Sequence, residues 1–303
     1  MERIDGYLAI DDYKNVDFDS DRRRYLVYID GIEYYFKETD MVYEEIIGYN
    51  ALKFLGIDAC YTDLAILNGK RGIISRSFRD NSSKLISGSE LLGDFLAHNF
   101  DAVAAMGFVG ELANWVRLYG IEDKMKYLSS FYVNNLEVIC SALEDKYKNK
   151  VDIKKIMHEF IVMYMVTIIF GDIDKNPNNW FIMENVNGVR LAPLFDNGEL
   201  LSYYDDECDP DDVFSNFSVC FEDVNVNQME SLKVFFKRYD YFDLFNEMFN
   251  KVMFNFNEIL KMSEVQIGRD IPDDDKERLI EAFNKHCNRI KGVIDSYSDN
   301  KKR

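Results

Sequence analysis

The stretch GDIDKNPNNWFIMENVNGVRLAPLFDNG, residues 171–198, holds the densest polar chemistry in the chain. It opens on a cluster of Asp172, Asp174, Asn176, Asn178 and Asn179, then runs through two mostly apolar segments that flank Asn187-Gly188. An Asn-Gly pair between such segments is the strongest short-range signal for a β-hairpin. A two-residue turn at Asn187-Gly188 over residues 180–195 sets Trp180 opposite Phe195 and, just beyond, Asn179 opposite Asp196. Directly opposed residues bring their Cβ atoms to about 4.5–5.5 Å. A carboxylate and a carboxamide oxygen held that close suit a hard cation such as magnesium, which takes one or two protein oxygens and fills its shell with water and phosphate. Hairpin register therefore predicts a metal site at Asn179 and Asp196, with Asp174 in the loop beside it.

The spacing of Asp174 and Asn179 carries a second signal. Asp-x-x-x-x-Asn is the spacing of the protein-kinase catalytic loop, where the acid accepts the substrate's proton and the amide holds magnesium. Asn and Asp are also ordinary turn formers and helix caps. The presence of Asp196 in register weighs the balance toward a site.

Outward from this segment the chain divides in two. Residues 1–40 read as strands, with the alternating runs of YLVYIDGIEYYFK (25–37) turning on Asp30-Gly31. That turn puts Tyr25, Val27, Ile29, Ile32, Tyr34 and Phe36 on one apolar face and Lys37 on the other. An amphipathic helix over 43–57 ends at Gly56, and 60–80 reads as two strands turning at Asn68-Gly69. Helical periodicity follows in 89–105, 107–119, 130–147, 152–170, 228–262 and 273–296. The expected fold is α+β and two-lobed: residues 1–80 form a β-rich N-lobe with one helix, and 81–303 a helical C-lobe carrying the loop and hairpin.

A cation over nucleotide phosphates is the other requirement of such a site. Lys37 ends a strand and precedes a helix bearing Glu44 and Glu45. Gly48, Tyr49 and Leu52 share the face of Glu45, so Glu45 points inward to meet Lys37 and Glu44 points to solvent. Lys37 reads equally as an exposed strand-end lysine. Upstream, DFDSDRRRY (17–25) offers Ser20 and Arg22, Arg23 and Arg24 to phosphate, although neither a G-x-G-x-x-G nor a P-loop motif occurs. Three adjacent arginines also form an ordinary solvated cluster.

Composition narrows the partners. The 303 residues carry a formal net charge of −18 with 47% hydrophobic residues. So acidic a surface repels nucleic-acid backbones and anionic membranes, and suits a protein partner. The acidic run DDECDPDD (205–212) reads as a solvated loop. Five well-separated cysteines without a Cys-x-x-Cys pair read as reduced thiols in a reducing compartment. MERIDGYLAI lacks the pattern of a signal peptide. The most apolar run, Phe160 to Phe170, is too short to span a bilayer.

Taken together, GDIDKNPNNWFI and LAPLFDNG resemble the HipA-like serine/threonine kinases, whose usual pattern is Gly-Asn-x-Asp-x-His-x-x-Asn followed by Ala-Pro-Leu-Tyr-Asp. YFKE (35–38), EIIGYNALKFLGI (45–57) and GIISRSF (72–78) resemble that family's lysine strand, following helix and strand into the hinge. Asn176 stands where the family usually has His, and Asp172 where it has Asn. The resemblance implies a protein-kinase-like fold and an ATP- and magnesium-dependent phosphotransferase. It implies Asp174 as catalytic base, Asn179 and Asp196 as magnesium ligands and Lys37 as the nucleotide lysine. It sets Ser20 in a phosphate loop open to autophosphorylation, and Phe78 near the adenine hinge. The short, single-module branch that the chain resembles includes operon toxins and secreted effectors. That implies a protein substrate, an antitoxin or host protein as partner, and a cytoplasmic or host-delivered location. Two other readings remain: an aminoglycoside-type small-molecule kinase, and an inactive nucleotide-binding interaction protein.

Overall fold

The computed structural model describes residues 3–10, 14–15, 24–79, 82–105, 133–148, 150–204, 211, 213, 215–224 and 226–301. Ser20, Arg22, Arg23, the expected helix over 107–119 and most of the acidic run 205–212 lie outside them.

Seven strands build the N-terminal sheet. They are β1 (Arg3–Ile4), β2 (Tyr7–Ile10), β3 (Lys14–Asn15), β4 (Arg24–Ile29), β5 (Ile32–Glu38), β6 (Thr62–Leu67) and β7 (Lys70–Arg76), in the spatial order β1-β2-β6-β7-β5-β4-β3. Only the β2–β6 pairing is parallel. The β4–β5 hairpin has the register expected from its sequence, from Ile29 opposite Ile32 to Arg24 opposite Lys37. Its turn residues Asp30 and Gly31 both have positive φ (51° and 76°), as do Asn68 and Gly69 (50° and 79°) in the β6–β7 turn. That is the backbone a two-residue hairpin with right-handed twist demands, which is why Asp-Gly and Asn-Gly stand there.

Between β5 and β6 runs α1 (Val42–Leu55), ended by Gly56 in the left-handed conformation at φ 79°. Ile10, Val27, Ile29, Phe36, Ala65, Leu67 and Ile74 form a small core on one face of the sheet. Leu64 and Ile73 face the other way and join α1 to the main core. Strand alternation therefore sends Phe36 into the small core and Lys37 to the side that holds α1.

The C-lobe contains β8 (Lys84–Ser87), α2 (Gly88–Ala105), α3 (Leu136–Tyr147), α4 (Ile153–Ile169), β9 (Phe181–Asn185), β10 (Gly188–Leu191), α5 (Gln228–Arg238), α6 (Phe242–Ile267) and α7 (Asp273–Lys301). Strands β8, β9 and β10 make a separate antiparallel sheet. Helix α4 is buried along most of its length, in keeping with its apolar sequence. Among the described residues no helix is long and apolar enough to cross a membrane, and Cys60, Cys140, Cys220 and Cys287 are free thiols.

Three expectations need correction. The 171–198 hairpin turns at Val186-Asn187, with Asn185 opposite Gly188 and Ile182 opposite Leu191. The side chain of Asn185 accepts the N–H of Asn187 at 2.8 Å, which closes the turn one residue early, and Gly188 absorbs the change at φ 120°. Asn179 and Asp196 are consequently not ladder partners. Secondly, the helical pattern of 228–262 is broken: α5 stops at Tyr239, whose backbone is extended (φ −123°, ψ 135°). Thirdly, Glu44 is buried rather than exposed, because Arg278 of α7 reaches it in an ion pair.

Candidate active site

Lys37 emerges from β5 beneath α1, and its Nζ lies 3.1 Å from Glu45 Oε1 and 2.5 Å from Asp196 Oδ1. One ammonium thus joins the N-lobe strand, the N-lobe helix and the C-lobe segment that follows β10. Glu45 is fully buried, and its second oxygen accepts the backbone N–H of Asn197 at 2.9 Å. Burial pushes the Glu45 carboxyl up to about 7 against the pull of Lys37, with Asp196 adding to the rise. Burial works to lower the Lys37 ammonium, but Glu45 and Asp196 outweigh it and the net shift is upward. The two shifts have different causes: burial dominates for Glu45, and the two neighbouring carboxylates dominate for Lys37.

The approach of α1 to the 196–198 segment is close enough to require glycine on both sides. A Cβ on Gly198 would lie 2.9 Å from Glu45 Oε1, and one on Gly48 would lie 2.8 Å from Asn197 Cβ. Asp196 itself has φ 54°, the left-handed region that few residues other than glycine adopt. Such strain clusters at functional sites and persists only where neighbours impose it.

The loop after α4 surrounds Asp174 with carboxamides. Its Oδ1 accepts from Asn176 at 2.8 Å and from Asn216 at 3.2 Å. Asn179 Nδ2 donates to the Asp174 carbonyl at 2.7 Å and to Oδ2 at 3.3 Å. With its nitrogen committed to Asp174, Asn179 has its carbonyl oxygen to offer a cation. The loop is anchored from below by Asn134, whose Nδ2 donates to the Lys175 carbonyl at 2.9 Å while its Oδ1 accepts from Trp180 Nε1 at 3.2 Å. Ser89, at the start of α2, donates to Asn178 Oδ1 at 2.6 Å.

Magnesium prefers carboxylate and carbonyl oxygens. The Asp196 carboxylate and the Asn179 carbonyl are donors of that kind, so the residues present fit such an ion. Phe78, just past β7, packs its ring 5.6 Å from Phe195 and 6.1 Å from Phe181, and those two rings are 5.7 Å apart. This aromatic trio spans from the exit of the N-lobe sheet to the residue before Asp196.

Of the residues singled out in the sequence, Lys37, Glu45 and Asp196 are in direct contact, and Asp174 and Asn179 are bonded to each other. Phe78 touches the same segment through Phe195. Sequence reasoning missed Asn134, Asn216 and Lys175. The ammonium of Lys175 is buried against the carbonyls of Phe195 and Asp196 at 3.1 and 3.2 Å. Asn134 and Asn216 lie in unrelated stretches of sequence and carry no local signal. Lys175 had one: a lone cation just after two acids, Asp172 and Asp174, in the loop that follows a buried helix.

No protein-family model matches the sequence, and no curated protein matches it. Solved structures do resemble the fold. The Helicobacter pylori proinflammatory kinase CtkA superposes with a TM-score of 0.60 at 14% identity, over 98% of this chain and all of that one. HipA of Shewanella oneidensis, solved with HipB and operator DNA, gives a TM-score of 0.48 at 12% identity over 95% of this chain and 68% of its own. A thermostable mutant of aminoglycoside phosphotransferase APH(4)-Ia gives 0.27 at 10% identity, over 95% of each chain. The superposition on CtkA agrees with the two-lobed, kinase-like α+β fold expected from the sequence.

Proposed function

We propose that the chain is an ATP-dependent serine/threonine protein kinase of the HipA-like type. The observation that carries this reading is the Lys37 ammonium held between Glu45 and Asp196 at 3.1 and 2.5 Å. A strand lysine oriented by a helix glutamate, beside a metal-binding acid, is the arrangement that positions nucleotide phosphates in protein kinases.

In this reading Lys37 offsets phosphate charge, and Glu45 fixes its direction. Asp196 and Asn179 would hold magnesium, which would supply positive charge to offset the charge that develops during transfer. Asp174 accepts the proton of the attacking hydroxyl. The amides of Asn176, Asn179 and Asn216 donate to its carboxylate, and so aim the base before substrate arrives. Phe78 borders the adenine, and Ser20, outside the described residues, is the candidate phosphate-loop serine for autophosphorylation. The substrate is a protein; an antitoxin or a host protein is the regulatory or target partner. The net charge of −18 favours a basic docking surface on whichever protein binds.

The test is phosphosite mapping by mass spectrometry in a lysate treated with Mg·ATP and either wild-type or Asp174→Ala protein. Sites present only with the wild-type enzyme are expected, while the variant keeps its Mg·ATP thermal shift. Identical maps for the two proteins, with no phosphate on the chain itself, would overturn the reading.

A further inference from the structure

We infer that Lys175 and Asp172 form a charge-paired strap that positions Asp196 for a divalent cation; the inference rests on the kinase reading above. Lys175 is 2% exposed. Its Nζ meets four acceptors: the carbonyls of Phe195 and Asp196 at 3.1 and 3.2 Å, Asn197 Oδ1 at 3.3 Å and Asp172 Oδ2 at 3.2 Å. An ammonium has three N–H donors, so its capacity is fully taken up by these neighbours. Three of the four belong to the segment that carries Asp196.

Asp172 is buried too, and it faces both ways. Its Oδ2 pairs with Lys175, while its Oδ1 accepts the backbone N–H of Asp174 at 3.0 Å. The Asp172 carbonyl is tied in turn to Gln228 Nε2 of α5 at 2.8 Å. A single carboxylate thus connects the backbone of the base to the cation that grips the metal-binding segment.

The backbone of Asp196 explains why a grip is needed. At φ 54° the residue sits in a disfavoured conformation. Glu45 holds the following N–H from the N-lobe side, and Lys175 holds the carbonyl of Asp196 and the one before it from the C-lobe side. Without the ammonium the peptide groups on either side of Asp196 lose their common donor, and the carboxylate loses its fixed direction. Each member of the pair also needs the other, because a buried charge without a partner is strongly unfavourable.

The charge dependence and the positioning role are separable with Lys175→Met, Asp172→Asn and the double variant. Thermal unfolding without nucleotide reads the charge balance. A magnesium titration of the ATP-induced thermal shift reads the positioning. Each single variant is expected to melt below wild type, and the double variant, with both charges gone, to recover most of that loss. All three should need about tenfold more magnesium or higher for half-maximal shift, the scale seen when residues supporting metal ligands are removed. A double variant that stays as unstable as the singles overturns the pairing. A wild-type magnesium requirement in folded variants overturns the strap. No Mg·ATP shift in wild-type protein overturns the kinase reading itself, and is told apart because the stability comparison needs no nucleotide.

Discussion

Gly48 of α1 lies directly against Asn197, so that a Cβ at Gly48 would sit 2.8 Å from Asn197 Cβ. In an exposed helix, replacing Gly by Ala gains about 0.5–1 kcal/mol. Overpacking a filled site costs about 1–3 kcal/mol. The obstructing atom here is anchored next to the backbone and cannot swing away, so the second effect wins. Gly48→Ala is expected to lose about 1–2 kcal/mol in denaturant unfolding. Gly292 on α7 is the control, since nothing lies within 4 Å of its Cβ position. Gly292→Ala should gain about 0.5–1 kcal/mol. Equal effects from the two substitutions would contradict the tight seat of α1 on the 196–198 segment.

Two buried groups should tilt stability against pH in opposite directions. His286 is bonded at both ring nitrogens, to the Ile168 carbonyl at 2.6 Å and to Tyr204 Oη at 3.2 Å. Burial lowers its pKa to about 4. The unfolded chain therefore binds more protons between pH 4 and 6.5, and stability from this group is lost as pH falls through that window. Glu45 behaves inversely, because its folded pKa is raised to about 7. Its contribution is full below the ordinary carboxylate value and is lost as pH rises through 7. The slopes oppose each other in wild type. Denaturant midpoints from pH 4 to 8 should fall more steeply with rising pH in His286→Gln. The same series should rise more steeply in Glu45→Gln. Parallel profiles for all three proteins would rule this out.

Part of this site could be read directly from the sequence. The β4–β5 hairpin was legible because Asp30-Gly31 allows one tight turn, and that turn fixes every pair down to Lys37. The inward face of Glu45 followed from helical spacing. Register failed in the 171–198 hairpin because a side-chain acceptor, Asn185, competes with the Asn-Gly pair for the turn. Asp196 reaches Lys37 anyway, since the ladder has ended by then and Lys175 and Glu45 hold the segment in place. The break between α5 and α6 has no glycine or proline to announce it. It is bordered by ring packing, with Phe236 5.0 Å from Phe242 and 5.1 Å from Tyr297. The burial of Glu44 depends on Arg278, a partner far away in sequence. Asp172, where the resembling pattern has Asn, carries the charge that faces Lys175, a relation that only the folded chain displays.

Phe78 offers a test of the hinge that does not touch the charged centre. Its ring is half-buried between Phe181 and Phe195. Phe78→Ala removes the apolar wall bordering the proposed adenine site and leaves Lys37, Glu45 and Asp196 in place. The expected result is a KM for ATP raised about tenfold with a smaller change in kcat, the pattern of lost uniform binding. A Phe78→Leu variant should recover most of the difference. If kcat falls while KM for ATP is unchanged, Phe78 does not border the nucleotide.

Removing the ammonium of Lys37 tests the central arrangement most directly. Lys37→Met leaves Glu45 and Asp196 facing each other with no cation between them. Two neighbouring carboxylates disfavour joint ionisation, so Glu45 should keep its proton to still higher pH. Phosphotransfer should fall about 100- to 1,000-fold, the usual scale for losing one charge-stabilising group. Lys37→Arg should not restore it, because the planar guanidinium cannot replace a compact ammonium between two acids at 3.1 and 2.5 Å. A variant that keeps wild-type phosphotransfer would remove Lys37 from the role assigned to it.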